Sequence, residues 1–152
     1  MKLVVILPTY NERENIIRLL DALHEVLARL TGYAISYLIV DDTSPDGTEE
    51  LVKDYQKKHT DVFIISGKKE GLGKALLRGM THAVESMGAD VLLQMDADLS
   101  HDPQVVPQFI HAIDNGAGLV VGSRYIRGGS IPQNWGIHRK IFSIVGNSIV
   151  RF

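Results

Sequence analysis

Short apolar runs alternate with helical stripes of apolar residues along the first 120 positions. Five runs have the length and composition of buried strands: residues 2–7, 37–40, 62–66, 91–95 and 119–121. The first stripe repeats at three- and four-residue intervals through Ile16, Leu19, Leu20, Leu23, Val26, Leu27 and Leu30. Further helices are predicted over residues 46–58, from Gly71 onward and from Pro103 to about residue 113. Strands and helices that alternate in this way predict an α/β domain whose mostly parallel central sheet is flanked by helices.

Local signals refine these helices. Asn11 is predicted to cap the first helix, with Glu14 completing a capping-box-like arrangement. In the second helix Leu51, Val52 and Tyr55 should face inward, and in the third we expect an inward set of Ala75, Leu76, Met80, Ala83, Val84 and Met87.

The segment Gly71-Leu72-Gly73-Lys74 invites comparison with a phosphate-binding loop. A Walker sequence requires Ser or Thr after the lysine, and here Ala75 follows Lys74. We therefore interpret Gly71 and Gly73 as turn glycines that open a helix.

The last thirty residues have a different character. Residues 122–136 are rich in Gly, Pro and polar side chains and predict a loop, whereas the chain looks helical again from Ile137. This helix is strongly apolar and has no Gly or Pro stop signal at its end. We expect it to continue in a longer native protein, of which this chain is a fragment, and the alternative is a short natural protein whose last helix docks.

Composition narrows the functional classes. A chain of 152 residues with 45% hydrophobic and 22% charged residues fits one globular domain. Its net charge of −2 favours a small-molecule site over general attraction to nucleic acid, and zero cysteines exclude disulfides and thiolate chemistry. The apolar run of residues 3–7 is too short for a signal peptide, and no stretch approaches the roughly 20 apolar residues of a membrane span.

Polar groups follow three of the predicted strands. Residues 8–12 follow the first strand, residues 41–48 follow the second, and Asp96 and Asp98 follow the run of residues 91–95. In an open parallel sheet, ligands bind beyond the carboxyl ends of the strands. Side chains two residues apart on an extended segment point the same way, so Asp96 and Asp98 can present two carboxylates to one Mg²⁺ or Mn²⁺ ion, which would take substrate phosphates as further ligands.

Four spaced segments form a recognisable set: Pro-Thr-Tyr-Asn-Glu at residues 8–12, Asp-Asp-Thr-Ser-Pro-Asp-Gly-Thr at 41–48, Glu-Gly-Leu-Gly-Lys-Ala at 70–75 and Gln-Met-Asp-Ala-Asp-Leu-Ser-His-Asp-Pro at 94–103. Together they resemble family 2 inverting glycosyltransferases, and among them the polyprenol-phosphate (dolichol-phosphate) mannosyltransferases. The resemblance runs from residue 3 to about residue 143. It implies a GT-A fold and transfer of a sugar from a nucleotide diphosphate sugar, with GDP-mannose favoured, to a polyprenol phosphate at the cytoplasmic face of a membrane.

The resemblance also implies a division of the chain. Residues 1–122 would form the GT-A nucleotide-diphospho-sugar-binding core. Residues 123–152 would form an acceptor loop and the start of a truncated amphipathic helix.

The resemblance assigns roles to individual residues on the donor side. Pro8, Tyr10 and Glu12 match a nucleotide-contacting segment, and Val40 and Asp42 match residues that border the base and ribose. We favour Asp42 over Asp41, because Asp41 and Asp46 can instead hold the loop or cap its helix. The metal and diphosphate segment corresponds to Asp96, Ala97 and Asp98, and Ser100 stands where many relatives have a Gln ligand, which leaves the third protein ligand open.

On the acceptor side the implied roles fall late in the chain. Arg124 matches an arginine that contacts phosphate, a task suited to its planar charged fork. Arg139 and Ser143 match a basic residue and a serine, one helical turn apart, that bind the acceptor phosphate. His24, His59, His82 and His111 show no partner at ligand spacing and are interpreted as structural or solvated, whereas His101 is close enough in sequence to the metal segment to touch a ligand.

Several alternatives stay open at this point. Within the family the donor could be a UDP-sugar carrying glucose or N-acetylglucosamine, and the acceptor could be a lipid phosphate or a saccharide. A nucleotidyltransferase would need a basic glycine loop near the N-terminus, which residues 8–12 do not offer. The domain could also bind nucleotide sugars without catalysis.

Overall fold

The computed structural model describes residues 1–123, 136, 138, 141–143, 145 and 146. Its four strands are β1 (Lys2–Thr9), β2 (Ala34–Asp41), β3 (Val62–Ser66) and β4 (Val91–Gln94). Its four long helices are α1 (Ile16–Leu27), α2 (Thr48–Gln56), α3 (Leu72–Glu85) and α4 (Val106–Asp114). A short 3₁₀ turn, Pro103–Val105, precedes α4, and the Asp102 carboxylate caps it by accepting from the Gln104 N–H at 2.9 Å.

All four strands are parallel and lie in the order β3-β2-β1-β4. The register places Val5 of β1 opposite Tyr37 of β2 on one side and Leu93 of β4 on the other. Residues 3–7 of β1 are completely buried, which agrees with their unbroken apolar sequence. The predicted parallel α/β sheet is confirmed.

Alternate residues of β1 pack on opposite faces of the sheet. Leu3, Val5 and Leu7 join the core formed with α1, α2 and α4. Val4 and Ile6 join a smaller core beneath α3, with Ala75 and Ala83 among its members. The sheet is thus covered on both faces, as a parallel sheet requires.

A glycine sets how closely α3 approaches the sheet. A Cβ atom on Gly79 would lie 2.7 Å from Val40 Cγ2 and 2.9 Å from Ile6 Cγ2. A larger residue would therefore clash with β1 and β2, and the absence of a side chain permits this contact.

The start of α1 differs from the predicted one. The helix begins at Ile16, and Asn11 has a φ of 61°, whereas an N-cap residue normally has an extended backbone. The Asn11 N–H donates to Ser44 Oγ at 3.0 Å. The N-cap residue is Asn15, which makes no side-chain cap, and its side-chain amide donates to Glu12 Oε2 at 2.9 Å. The predicted Asn11–Glu14 capping box is wrong.

Two further expectations also fail. Val84 on α3 is 52% exposed instead of facing the core, because it follows the buried Ala83 on the outer side of the helix. The run of residues 119–121 forms no strand, since it pairs with no other strand in the described part of the chain, and Leu119 and Val121 are largely exposed.

The chain divides into two compact units, Met1–Ile110 and His111–Phe152. In the second unit the described residues 138, 141–143, 145 and 146 are helical, in agreement with the predicted last helix, and Ile141, Phe142 and Val145 are exposed. Among the described residues no helix combines the length and apolar character needed to cross a membrane. The division into residues 1–122 and 123–152 stays a prediction.

Candidate functional site

Three loops leave the sheet at one edge, where β1, β2 and β4 end. Because the strands are parallel, Thr9 lies beside Asp41 and Ile6 beside Gln94. Each loop contains one non-glycine residue in the left-handed backbone region: Asn11 at a φ of 61°, Thr43 at 57° and Leu99 at 59°. Such residues are uncommon and cluster at ligand sites, where the surrounding structure holds them in place.

Asp41 joins the first two loops. Its buried carboxylate accepts from Thr9 Oγ1 at 2.8 Å, from Ser44 N at 2.8 Å and from Ser44 Oγ at 2.6 Å. These three bonds satisfy a charge that has no solvent exposure. Asp41 therefore holds the loop and is not free for a ligand.

Asp46 fastens the same loops from the other side. Its carboxylate accepts from Arg13 N at 3.0 Å and from both the N–H and the hydroxyl of Thr48, at 3.0 and 2.6 Å. Partial burial acts to raise the pKa of Asp46, but hydrogen bonds from Thr48 and Arg13 outweigh it and lower the pKa below its ordinary value. Asp46 thus has the loop-holding role that its position suggested.

Asp42 is the second carboxylate at the end of β2, and it is engaged by a residue that the sequence did not indicate. Arg78 Nη2 on α3 donates to Asp42 Oδ1 at 2.6 Å. The Arg78 Nε–H is buried and has no hydrogen-bond partner among the residues that the structure describes. The guanidinium also lies against Gly67, where a Cβ atom would be 2.4 Å from Arg78 Cζ. Asp42 and Arg78 are separated by 36 positions, so no local sequence pattern links them.

The first loop presents one exposed aromatic ring. Tyr10 is 38% exposed, and Lys69 Nζ lies 3.3 Å from its ring centroid, in cation–π contact. Pro8 is partly exposed, and Glu12 accepts from Asn15 through its carboxylate. Lys69 is a second residue of this edge that the sequence did not single out.

Val40 differs from the other predicted contacts. Its side chain is fully buried under α3, so only its main chain could meet a ligand. The family pattern marks the position, but the side chain belongs to the core.

The Asp96-Ala97-Asp98 segment follows β4 as an irregular loop instead of continuing the strand. Ala97 is buried, whereas the Asp96 side chain is 41% exposed and Asp98 is exposed. The two carboxylates therefore lie on the solvent side of a loop anchored by the alanine between them. Exposed carboxylate oxygens with open positions fit Mg²⁺ or Mn²⁺, which prefer oxygen ligands.

Neighbouring residues position these carboxylates. The Asp96 N–H donates to His101 Nδ1 at 3.3 Å, so the ring proton is on Nε2, which lies 3.8 Å from Asp96 Oδ2. The Ser100 N–H donates to Asp98 Oδ1 at 2.9 Å. Partial burial acts to raise the pKa of Asp98, but the N–H and hydroxyl of Ser100 and the nearby His101 outweigh it and lower the pKa. Asp98 is therefore ionised at neutral pH.

The predicted acceptor residues belong to the later part of the chain. Arg124 and Arg139 lie outside the described residues, and Ser143 belongs to the helical segment of residues 141–143. Their roles stay predictions.

Comparison with known proteins identifies the family to which the chain is similar. The family model described as glycosyl transferase family 2 matches residues 4–151. Dolichol-phosphate mannosyltransferase of Pyrococcus furiosus is 43% identical over 143 residues, which cover 94% of this chain and 38% of that protein. Polyprenol monophosphomannose synthase of Mycolicibacterium smegmatis is 38% identical over 151 residues, which cover 98% of this chain and 54% of that protein.

A solved structure shares the fold. Mannosyltransferase PcManGT from Pyrobaculum calidifontis, in complex with GDP-Man and Mn²⁺, superposes with a TM-score of 0.53 at 28% identity, over 63% of this chain and 27% of that one. The chain spans about two fifths to just over half of the two curated relatives' lengths. With the family model covering nearly all of its residues, the chain belongs to glycosyl transferase family 2.

Proposed function

We propose that this chain carries the donor-binding part of an inverting glycosyltransferase that moves mannose from GDP-mannose to a polyprenol phosphate. The observation that carries the proposal is the edge of the sheet where Tyr10, Asp42, Asp96 and Asp98 follow three adjacent parallel strands. The two curated relatives, named as a dolichol-phosphate mannosyltransferase and a polyprenol monophosphomannose synthase, support mannose as the sugar and a polyprenol phosphate as the acceptor.

The donor would lie across the ends of β1 and β2. The Tyr10 ring offers an apolar face to a base or ribose, and Lys69 beside it offers a cation to a phosphate. Asp42, held by Arg78, offers a carboxylate oxygen to a ribose hydroxyl. Glu12 would accept from a base amine or a sugar hydroxyl, and Pro8 and the Val40 main chain would border the same ligand.

Asp96 and Asp98 would hold the metal, with the Ala97 segment placing the diphosphate next to them. A bound Mg²⁺ or Mn²⁺ would neutralise charge on the leaving nucleoside diphosphate. The complex of the structural relative with GDP-Man and Mn²⁺ supports this class of ion and of donor. His101 and Ser100 keep the two carboxylates in position.

The reaction needs little help with proton transfer. A phosphate monoester is already an anion at neutral pH, so the lipid phosphate can attack the anomeric carbon directly. The new carbon–oxygen bond forms as the bond to the diphosphate breaks, and GDP leaves with inversion at that carbon. The predicted task of Arg124, Arg139 and Ser143 is to hold the two anionic groups close together.

We place this transfer at the cytoplasmic face of a membrane, because the acceptor is a lipid. The exposed Ile141, Phe142 and Val145 on helical residues support contact with a lipid surface.

A transfer assay tests the proposal. The chain is incubated with GDP-mannose, Mn²⁺ and a polyprenyl phosphate in detergent micelles, and mannosyl lipid and GDP are both measured. We expect both products with the native sequence and neither with Asp98→Asn. Asp54→Asn on the exposed side of α2 is the control and should retain activity, since Asp54 pairs only with Lys57 at the surface. If Asp98→Asn transferred mannose as fast as the native sequence does, the proposed role of Asp98 as a metal ligand would be contradicted.

A further inference from the structure

We propose that His24, His59 and Asp61 form a binding site for a zinc-type divalent cation that is separate from the Asp96–Asp98 segment. One ligand atom from each of the three residues lies within 4.8 Å of the others. No sequence pattern indicates this cluster, because His24 is on α1 and the other two residues precede β3.

The cluster lies at the opposite edge of the sheet from the candidate nucleotide site. Asp61 immediately precedes β3, and its carbonyl accepts from the N–H of Tyr37 in the neighbouring strand. Asp42 and Asp96, by contrast, follow the carboxyl ends of their strands. The two sites therefore lie at opposite ends of the parallel strands.

The hydrogen bonds of His24 occupy Nδ1 with a backbone carbonyl and turn Nε2 towards the carboxylate of Asp61. His24 Nδ1 lies 2.9 Å from the Leu20 carbonyl oxygen, which can only accept, so Nδ1 carries a proton. This bond to a carbonyl is the usual support of a metal-binding imidazole, whose other nitrogen then has a free lone pair. Here that nitrogen, Nε2, lies 3.0 Å from Asp61 Oδ2. Two lone pairs at this distance require a proton or a cation between them, and a metal ion can fill that need.

The two imidazole rings are held by their neighbours. The His59 ring stacks on Tyr55, with the centroids 3.9 Å apart and the planes 4° from parallel. The His24 ring lies 4.4 Å from the ring of Tyr37, which is buried. The Tyr55 hydroxyl donates to Asp21 Oδ1 at 2.7 Å. Ligands fixed in this way lose less freedom on binding than flexible surface histidines do.

The donor set selects the class of metal. Two imidazoles and a carboxylate suit Zn²⁺, whereas Mg²⁺ prefers oxygen ligands alone. Neighbouring donors around a tetrahedral zinc lie roughly 3.3 Å apart, so the cluster needs only small side-chain rotations to close. The side chains of His24 and Asp61 are 26% and 39% exposed, which gives an ion access and allows water to take the fourth position. A bound ion would tie α1 to the connection between α2 and β3.

Zinc titration of the untagged chain tests the site. All measurements use a background chain that carries Asp96→Asn and Asp98→Asn, so that this carboxylate pair cannot bind the added zinc. A chromophoric chelator competes for Zn²⁺ and reports its affinity. We expect one equivalent of zinc to bind and the melting temperature to rise with it. His59→Gln and, separately, Asp61→Asn should each weaken binding about tenfold or more and remove the thermal shift.

His82→Gln is the matched control, because His82 lies on α3 and outside the cluster. It should leave zinc affinity unchanged. Circular dichroism of each variant establishes that the fold is intact, and His59 is chosen first because it lies in a loop and not in a helix. Absence of zinc binding in the background chain, or equal affinity in His59→Gln, Asp61→Asn and His82→Gln, would overturn the proposal.

Discussion

Arg78 on α3 donates to the carboxylate of Asp42 at 2.6 Å. This bond holds Asp42, the residue that directly follows β2, in place. The Asp42 side chain is only 8% exposed, so its charge depends on this partner more than a surface carboxylate would. The neighbouring Asp41 is satisfied by Thr9 and Ser44 instead. The two adjacent aspartates therefore have different partners: Asp41 holds the loop, and Asp42, held by Arg78, is the one proposed to contact the donor.

Removal of this partner should destabilise the fold and weaken donor binding. We expect Arg78→Met to lower the free energy of unfolding by about 1–3 kcal/mol, because a mostly buried carboxylate loses its charged donor. Nucleotide-sugar affinity should fall as well, since Asp42 would no longer be fixed. Urea unfolding and calorimetric titration measure the two effects.

Lys74→Met provides the comparison for Arg78→Met. Lys74 lies on the same helix as Arg78 and pairs at 2.7 Å with Glu70, which precedes that helix, but both side chains are well exposed. Loss of such a surface pair should change stability by less than about 0.5 kcal/mol. Equal effects of the two substitutions would show that the Asp42–Arg78 pair has no special role.

Two glycines of α3 should respond in opposite ways to substitution by alanine. Gly79→Ala would force a Cβ atom against Val40 and Ile6, and we expect a net loss of about 1–3 kcal/mol of stability from overpacking. Gly73→Ala meets no atom within 4 Å and should stabilise the protein by up to about 1 kcal/mol through helix propensity. Thermal unfolding of both variants checks this. Stabilisation by Gly79→Ala would contradict the close contact between α3 and the sheet.

Acid should weaken the loop that follows β2. The folded-state pKa of Asp46 is lowered, so the stability it contributes is fully present above the ordinary pKa of an aspartate, near 4, and is lost as pH falls through the lower folded-state pKa. We expect Asp46→Asn to be less stable than the native sequence at pH 7 and to lose less further stability between pH 5 and pH 2. Urea midpoints at a series of pH values measure this, and parallel curves for the two proteins would contradict it.

Much of the fold followed from local pattern. The bounds of β3 were predicted without error, and the apolar stripe of α1 supplies five fully or almost fully buried residues. Both signals are periodic and local, which is why they can be read along the chain. The Asn11 cap failed because a tertiary bond to Ser44 holds Asn11 in a left-handed conformation that a capping pattern does not reveal.

Only part of the candidate site could be predicted from the sequence, because the rest depends on tertiary contacts. The strand-end carboxylates Asp42, Asp96 and Asp98 could be proposed as site residues because strand ends are recognisable in sequence. Arg78 and the His24–His59–Asp61 cluster were missed, because Arg78 is 36 positions from Asp42 and His24 is 37 positions from Asp61, and these residues meet only in the folded chain.

Metal-dependent binding of the donor by Asp96 and Asp98 can be measured by calorimetric titration. The chain is titrated with GDP-mannose and with UDP-glucose, each in Mn²⁺ and in EDTA, and Asp98→Asn is titrated under the same conditions. We predict that the native chain binds GDP-mannose in the presence of Mn²⁺ but not in EDTA. Asp98→Asn should not bind it under either condition. Binding of GDP-mannose that persists in EDTA or in Asp98→Asn would contradict a metal-dependent donor site at Asp96 and Asp98. Binding of UDP-glucose only would contradict GDP-mannose as the donor.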